Sequence, residues 1–503
     1  MFYKMRNSDK YLLFYKYFEE HGVLETQIES FNYFADVEMT EIVKEVGEVE
    51  PKILPPGIKD LKIRFEKAWL SKADYIEKEG IPRIIYPNEA RIRNITYSGS
   101  VYVEFSAWED GTLKTKYVVN IGRLPIMVKS KYCNLYGLSE EELIKLGEDP
   151  YDPGSYFIIN GTERVLVMSE ELATNKFYVE EGQGPVKYRG FIFSEAKAVS
   201  IPHRMELLND GIVYLTFGKF KRIPVIPIVK ALGLTIDADI AKLINEGDNF
   251  EETYINLYEF IGIQDQEQAM LWLANKLKFT GGEDIKKEKV RIVLDNYLLP
   301  HIGTSPKDRA MKAYNLLKMV KKLLLLTHGK IEEDIKDHFM NKVVRLPGEL
   351  LRDLFRVVFR TVVNDAMHQY HRLARRGKVP SLTSIFRSKL FTERFGSAMG
   401  TGQWTRNRTG VSQLLDRTNK LAVLSHLTRV WSSIPGEAEL LEARMVHGTH
   451  WGRLDLIETP EGKNTGLRKN LTLLAKITFQ EAKMGEIVEK LKEFGLKPIK
   501  TEK

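Results

Sequence analysis

Residues 347–377 read PGELLRDLFRVVFRTVVNDAMHQYHRLARRG, and this stretch has the periodicity of one long amphipathic helix. Large apolar side chains recur at four-residue steps, at Leu351, Phe355, Phe359 and Val363. A neighbouring stripe carries three guanidinium groups, those of Arg352, Arg356 and Arg360. The pattern predicts a helix that buries its apolar face. For the arginine stripe two interpretations stay open, a solvated face with i,i+4 pairing or contact with phosphate.

Upstream of this helix the sequence predicts two β-hairpins. Segment 98–122 alternates apolar and polar side chains on either side of Asp110-Gly111, and segment 156–168 has Asn160-Gly161 at its centre. Both dipeptides supply the positive φ that tight hairpin turns require.

Helical signals lie between and after the hairpins. Ser139 and Glu142 form a capping box at the start of a short helix, and Ser305-Pro306 begins a longer helix that ends at Gly329. Together with the hairpins, these signals predict an α+β fold of several domains, with mixed helices and antiparallel sheets.

Length and composition narrow the class of protein. The chain has 503 residues, 43% hydrophobic and 28% charged, as in globular proteins of several domains. No apolar stretch is long enough to span a bilayer, and the N-terminus lacks the apolar core of a signal peptide. The single cysteine, Cys133, excludes an internal disulfide and a cysteine-based zinc site. We therefore expect a cytoplasmic protein without membrane contact and without zinc.

Positive charge is concentrated in one part of the chain. The formal net charge is +7, but residues 341–430 hold seventeen Lys and Arg against five Asp and Glu, a net charge of +12. The rest of the chain is therefore mildly acidic. Such segregation over ninety residues indicates a phosphate-rich partner.

A glycine-rich segment follows, THWGRLDLIETPEGKNTGL at residues 449–467. Its carboxylates Glu458 and Glu461, with His447 and His450 just upstream, raise the question of an acid/base or metal site. HGTHWG is too rich in glycine for the helix that a metalloprotease-like histidine pair needs. The favoured interpretation is a loop shaped by proline and glycine, whose carboxylates orient neighbouring basic groups or a nucleotide. Walker, Rossmann and nucleophile-elbow motifs are all absent from the sequence.

Two adjacent segments carry a family resemblance. GVSQLLDRTNKLAVLSHLTRV at 410–430 and THWGRLDLIETPEGKNTGLRKNL at 449–471 resemble the fork region of the second-largest subunit of multisubunit, DNA-dependent RNA polymerases. Further blocks agree in order along the chain, among them PNEARIRNITYS, GSYFIINGTERVLVMSE and DHFMNKVVRLPGELLRDLFR. The likeness is to archaeal and eukaryotic versions, and the length is similar to the N-terminal half of a subunit split between two genes, as in methanogenic archaea.

The resemblance implies an arrangement of domains along the chain. These are a first part of a protrusion (1–175), an inserted lobe (176–337), a return segment of the protrusion (338–388), a fork (389–475) and a C-terminal helical tail (476–503). The basic quarter of the chain coincides with the return segment and the fork, which border the main channel in this family.

The same resemblance implies a role in template-directed nucleotidyl transfer. The Mg²⁺ ions of the reaction would be held by the largest subunit, so this chain has no catalytic residues and would be inactive alone. Implied partners are the DNA template, nascent RNA, the C-terminal half of the second-largest subunit, the largest and smaller subunits, and general initiation factors. Residues expected near nucleic acid or nucleotide are Arg406, Arg408, Gln413, Asp416, Arg417, Lys420, His426, Arg429, Glu458 and Glu461.

Within that set the arginines and Lys420 are candidates for phosphate contacts, while Glu458 and Glu461 match a loop near the incoming nucleotide. Each side chain could instead form a salt bridge inside the fork. The alternative function is a free-standing nucleic-acid-binding or metal-dependent nuclease module that uses His447, His450 and Glu458.

Overall fold

The computed structural model describes residues 7–54, 59–77, 82–196, 199–377, 381–405, 408–434, 437, 440–479 and 484–495. The chain forms two compact units. The first combines Met1–Glu171 with Val344–Lys503, and the second is the continuous stretch Leu172–Val343.

The N-terminal part of the first unit combines five short helices with nine strands among its described residues. Its helices are α1 (Asn7–Glu20), α2 (Glu25–Tyr33), α3 (Met39–Glu45), α4 (Pro87–Ile92) and α5 (Glu140–Lys145), with a π-helical turn at Phe34–Glu38 between α2 and α3. Its strands are β1 (Glu48–Val49), β2 (Leu61–Leu70), β3 (Asp74–Ile76), β4 (Pro82–Ile84), β5 (Ser98–Glu109), β6 (Thr112–Pro125), β7 (Phe157–Ile159), β8 (Thr162–Leu166) and β9 (Met168–Leu172). The largest sheet has the antiparallel order β1-β2-β5-β6.

The second unit places helices against an antiparallel meander. Its strands, in sheet order, are β10 (Tyr178–Glu181), β11 (Val186–Ala196), β12 (Val199–Leu208), β13 (Val213–Phe217) and β14 (Phe220–Pro224). Its helices are α6 (Val225–Ala231), α7 (Asp237–Asn245), α8 (Glu251–Glu259), α9 (Gln266–Lys276), α10 (Glu283–Asn296) and α11 (Arg309–Thr327). A separate hydrophobic core fills this unit.

The chain then returns to the first unit. The remaining strands are β15 (Lys342–Arg345), β16 (Ser412–Leu414), β17 (Arg429–Ser432) and β18 (Arg468–Asn470). The remaining helices are α12 (Pro347–Ala374), α13 (Ser388–Thr401), α14 (Lys420–Leu427), α15 (Leu441–Arg444) and α16 (Met484–Glu493). Strand β16 extends the β7–β8 hairpin, and β17 lies between β9 and β18. Mixed helices and antiparallel sheets confirm the predicted α+β class.

Helix α12 organises the core of the first unit, and its predicted apolar stripe is confirmed. All four stripe residues are at most 3% exposed. The Phe355 ring packs edge-on against Phe34 at a centroid distance of 5.9 Å, and Phe359 packs edge-on against Phe65 at 5.4 Å. Aromatic pairs in this geometry stabilise a core beyond the area that they bury. The helix therefore joins the N-terminal helices to the largest sheet.

The arginine stripe of α12 has partners that neither interpretation included. Arg352 donates to Glu38 at 3.0 Å, and Arg356 forms a two-point contact with Glu45 at 2.9 and 3.0 Å. These carboxylates come from the π-helical turn and from α3, so the two arginines tie α12 to the N-terminal helices. Arg360 is exposed.

The predicted turns and caps are confirmed. Asp110 and Gly111 have φ values of 50° and 80°, and Asn160 and Gly161 have 49° and 78°. The Ser139 hydroxyl and the Glu142 side chain form the predicted capping box at α5. Local sequence signals therefore predicted these turns and this cap correctly.

A buried histidine in the second unit makes the chain sensitive to acid. His203 is 1% exposed, its Nδ1 bonds to the Ile201 carbonyl at 2.9 Å, and its Nε2 accepts from the Leu299 N–H at 3.0 Å. Burial lowers the pKa of His203 to about 4, and the positive charge of Lys312 acts in the same direction. An unfolded histidine binds a proton below about pH 6.5. Between about pH 6.5 and about pH 4, the unfolded state therefore binds more protons than the folded state.

We expect the free energy of unfolding to fall as the pH falls from about 6.5 to about 4. Denaturant titration at pH 7 and pH 5 measures the loss. His203→Gln should be less stable at pH 7 but lose less on acidification, because it has no imidazole to protonate. His368→Gln, at an exposed histidine, should keep the wild-type pH dependence. Equal losses in His203→Gln and wild type would contradict this account.

None of the described helices is both long and apolar enough to cross a bilayer. The assignment of the two units to protrusion, lobe and fork, with the boundaries given above, stays a prediction.

Candidate nucleic-acid interface

Two short strands hold the region 408–471 onto the N-terminal part of the chain. In β16, Gln413 pairs with Val165 of β8. In β17, Val430 pairs in parallel with Met168 of β9 and antiparallel with Lys469 of β18. The candidate residues are thus carried on a scaffold that includes residues 157–172.

On the β17–β18 ladder, the face opposite the side chains of Val430 and Lys469 brings together four polar or aromatic side chains. Arg429 lies opposite Asn470, and Trp431 lies opposite Arg468. Because side chains alternate along a strand, all four project from the same face. The Arg468 guanidinium lies 5.2 Å from the centre of the Trp431 ring, a cation–π contact. Gly410, with φ of 74°, packs so closely on Trp431 that a Cβ there would come within 2.5 Å of the ring.

Arg429 and Arg468 form a half-buried pair of like charges. Burial lowers the pKa of Arg429, and the neighbouring Arg468 lowers it further. The Arg468 Nε is buried without a hydrogen-bond partner among the described residues. The contact of Arg429 is a long one, from Nη2 to the Ser425 hydroxyl at 3.5 Å. An anion at this face would relieve the repulsion and supply the missing acceptor.

Ser425 connects this pair to the first of the two loop carboxylates. Its hydroxyl donates to Glu458, and it accepts from the Asn470 amide at 3.1 Å. Glu458 is exposed and lies close enough to Arg429 to favour its charged form. Glu461 is exposed at the start of a short 3₁₀ turn. Glu458 therefore lies at the solvent edge of the arginine face.

The loop that holds these glutamates is shaped by hydroxyl groups and a glycine. The Thr459 hydroxyl donates to the Arg468 carbonyl at 3.0 Å and accepts from the Gly466 N–H at 2.8 Å. Gly466 has φ of 72°, and a Cβ there would lie 2.2 Å from the Arg444 carbonyl oxygen. The loop shape expected from the sequence is therefore present, and Gly466 is required for its path, while the orienting role of the carboxylates stays a prediction.

His426 is buried and neutral, and it links the Asp416 backbone to the Gln413 side chain. It is 4% exposed, its Nδ1 accepts from the Asp416 N–H at 3.2 Å, and its Nε2 lies 3.3 Å from the Gln413 side-chain oxygen. Burial lowers the pKa of His426 to about 4, and Arg429 contributes in the same direction. The accepting Nδ1 requires the proton to be on Nε2, which can then donate to Gln413. Asp416 itself accepts from the Thr418 N–H and hydroxyl at 3.0 and 2.6 Å.

Two of the candidate arginines are engaged with carboxylates of the N-terminal segment. Arg417 forms a two-point contact with Glu163 at 2.6 and 2.9 Å and a further bond to Asp152 at 2.8 Å. Arg408 pairs with Glu171 at 2.6 Å. For both residues these contacts favour a structural ion pair over phosphate binding.

The other basic candidates differ from these two. Lys420 is exposed at the first position of α14, and its ammonium lies 4.9 Å from the centre of the Tyr151 ring. Arg406 lies outside the described residues. Among the candidate cations that are described, Lys420 and Arg429 are therefore the two that form no ion pair with a carboxylate.

The alternative metal cluster is not assembled. His447 Nδ1 bonds to the Thr449 hydroxyl at 2.8 Å, and Glu458 instead contacts Ser425. Within the described part of the chain, no group of three His, Cys, Asp or Glu side chains is arranged to hold a metal ion.

Sequence reasoning missed Ser425, Trp431, Arg468 and Asn470 as members of the site. Strand β18 has three residues, too short for a periodic signal. The available signal was the pair of three-residue patterns RVW at 429–431 and RKN at 468–470. If both segments are strands, the first and third side chains of each lie on one face.

Comparison with known proteins agrees with the resemblance found in the sequence. Residues 22–393 match the family described as RNA polymerase beta subunit, and residues 413–477 match RNA polymerase Rpb2, domain 3. DNA-directed RNA polymerase subunit Rpo2N of Methanocaldococcus jannaschii is 40% identical over 494 residues, covering 95% of this chain and 97% of the relative. Rpo2N of Methanothermobacter thermautotrophicus is 35% identical over 489 residues, covering 92% of this chain and 93% of the relative. Rpo2 of Sulfolobus acidocaldarius is 39% identical over 466 residues, but only 41% of that chain is covered. The chain therefore belongs to the RNA polymerase beta-subunit family, and its full-length matches are archaeal Rpo2N chains.

Proposed function

We propose that this chain is the Rpo2N-type subunit of a DNA-directed RNA polymerase and that its fork region contacts the nucleic-acid backbone during RNA synthesis. The observation that carries the proposal is the β17–β18 face, where Arg429 and Arg468 lie together without an ion-pair partner among the described residues. Trp431 beneath Arg468 adds an aromatic surface, and the combination of cations with an aromatic ring suits single-stranded nucleic acid.

The remaining candidates take different parts in the same surface. Lys420 is proposed as a further phosphate contact, because it is exposed and not paired with a carboxylate. Arg408 and Arg417 hold the fork onto the N-terminal segment, and Arg406 is kept as a candidate from the sequence. His426 holds Gln413 and Asp416 in position beside the face, where the family resemblance expects RNA. Glu458 and Glu461 orient the neighbouring arginine or the incoming nucleotide and transfer no proton.

Exposed apolar side chains support assembly with other polypeptides. Leu421, Trp451 and Ile457 are 78%, 77% and 89% exposed, although each belongs to the fork region. Apolar groups in such number on one region are typical of an interaction surface. The proposed partners are the C-terminal half of the second-largest subunit and the largest and smaller subunits, with DNA template, nascent RNA and general initiation factors bound by the whole complex.

The proposed reaction needs groups from other chains. Mg²⁺ held by the largest subunit would supply the charge stabilisation for nucleotidyl transfer, so this chain is proposed to be inactive alone. A tagged copy should co-purify with a largest subunit and a C-terminal second-subunit chain, and only the assembly should extend RNA. Recovery of a lone monomer with metal-dependent nuclease activity would instead favour the alternative module.

Arg429→Gln and Arg468→Gln test the phosphate contact directly. In reconstituted polymerase, each change should weaken the elongation complex and lower the slope of log affinity against log salt by about one, because one phosphate contact is lost. The measurement is the dissociation of elongation complexes over a potassium chloride series.

The matched control removes a positive charge elsewhere in the same unit. Lys389 is 85% exposed on α13, so Lys389→Gln should leave the salt slope unchanged. If both arginine variants behave like Lys389→Gln, the β17–β18 face does not bind phosphate and the proposal for this face is wrong.

A further inference from the structure

The second unit contains a cavity of about 360 Å³ that the proposed function does not use. This volume lies in the range of small-molecule sites. One wall is α11, and the others are the segment before β10, strand β11 and the loop after α10. All of the lining residues belong to the second unit, so the cavity is complete within it.

The polar side of the cavity is cationic. Lys176, Lys318 and Lys322 line it, and none of the described lining residues is Asp or Glu. Lys318 and Lys322 are one turn apart on α11 and therefore point to the same side. Lys322 is neutralised and held in place, because its ammonium bonds to Asp334 at 2.7 Å and to the Phe177 carbonyl at 2.9 Å.

The other two lysines have no carboxylate in direct contact among the described residues. The Lys176 ammonium bonds to the neutral side-chain amide of Asn341 at 2.5 Å. The Lys318 ammonium is exposed and lies 4.5 Å from the centre of the Tyr314 ring. Neither forms an ion pair within the described part of the chain. Two positive charges at a cavity attract a ligand that carries negative charge.

The cavity lining also has an apolar part. Ile192, Leu299 and Met319 are buried, and the half-buried Phe177 ring completes the wall. His301 adds a polar atom to the lining, with its Nδ1 bonded to the Ser194 hydroxyl at 2.7 Å. A ligand suited to this lining combines a ring or another apolar body with an anionic group.

We infer that this cavity binds a phosphorylated ligand with an aromatic ring, of the size of a nucleotide. The phosphate would lie between Lys176 and Lys318, and the ring would lie against Phe177 and the aliphatic wall. A free nucleotide and the 5′ end of a nucleic-acid strand share this chemistry. The inference is independent of the proposed phosphate contacts in the fork.

The test is calorimetric titration of the full chain with AMP, with inorganic phosphate and with a short 5′-phosphorylated single strand. AMP should bind more tightly than inorganic phosphate, since only AMP uses the apolar wall. The double variant Lys176→Gln/Lys318→Gln should weaken AMP binding about tenfold or more. Binding of AMP identifies a free nucleotide as a sufficient ligand. Binding of the strand but not of AMP identifies a nucleic-acid end when the double variant loses it, because the fork is itself proposed to bind nucleic acid.

The matched control is Lys321→Gln, which removes the neighbouring charge on α11. Lys321 pairs with Glu246 at 3.0 Å and does not line the cavity, so its loss should leave binding unchanged. Thermal melting of each variant shows whether the unit is still folded. No binding of either AMP or the strand, or equal binding by the double variant and wild type, would overturn the inference. AMP binding no tighter than phosphate would overturn the role of the apolar wall.

Discussion

Glu170→Met should destabilise the purified chain by about 3 kcal/mol or more, because it leaves a buried ammonium without its anion. Glu170 is 3% exposed and Lys469 is 6% exposed, and the ammonium contacts both carboxylate oxygens, at 3.0 and 3.4 Å. The pair lies on the buried face of the β9–β17–β18 sheet, behind the proposed phosphate site. Denaturant unfolding measures the loss.

The double variant Glu170→Met/Lys469→Met is the matched control. Replacing both charges with apolar groups of similar length should restore most of the stability, because a buried pair adds little over well-packed apolar side chains. A double variant as unstable as the single one would show that lost packing, and not the lost charge, causes the effect.

Gly348→Ala should be the second severe change, with a loss of about 3 kcal/mol in the free energy of unfolding. Gly348 lies in the first turn of α12, where a Cβ would come within 2.1 Å of the Ser30 carbonyl oxygen in α2. The colliding atom belongs to the backbone, so a side-chain rotation cannot relieve the clash. The α2–α12 contact must open, which disturbs the packing of Phe355 on Phe34.

Gly396→Ala is the matched control for this prediction. Gly396 lies inside α13, and a Cβ there would have no atom within 4 Å. Alanine should therefore stabilise α13 by about 0.5 to 1 kcal/mol. If both alanine variants have the same midpoint in denaturant, the close approach of α2 and α12 does not constrain the fold.

Sequence reasoning succeeded where the determining contacts are local. The turns at Asp110-Gly111 and Asn160-Gly161, the Ser139 capping box and the apolar stripe of α12 each depend on residues a few positions apart. A short window of the sequence is therefore enough to detect such signals. The family assignment succeeded for a different reason, because ordered motifs carry information about an entire fold.

The candidate site was predicted only in part because its contacts are long-range. Arg417 was a candidate for phosphate, yet its carboxylate partner Glu163 lies 254 positions earlier. The parallel pairing of β17 with β9 has no local signal either, because it joins Val430 to Met168, far earlier in the chain. Charge segregation indicated one region of the chain, but it could not separate arginines held by carboxylates from those without one.

The pairing of β9 with β17 has a consequence for the order in which the chain folds during synthesis. Glu170 and Lys469 are 299 positions apart, and the whole second unit is translated between them. At a ribosomal rate of about 5 to 20 residues per second, strand β9 waits on the order of tens of seconds for its neighbour. The second unit, made from one continuous stretch, can complete its core in that interval. The nascent chain thus exposes the unpaired edge of β9 during this time, and a chaperone that shields β-strand edges would act at this stage.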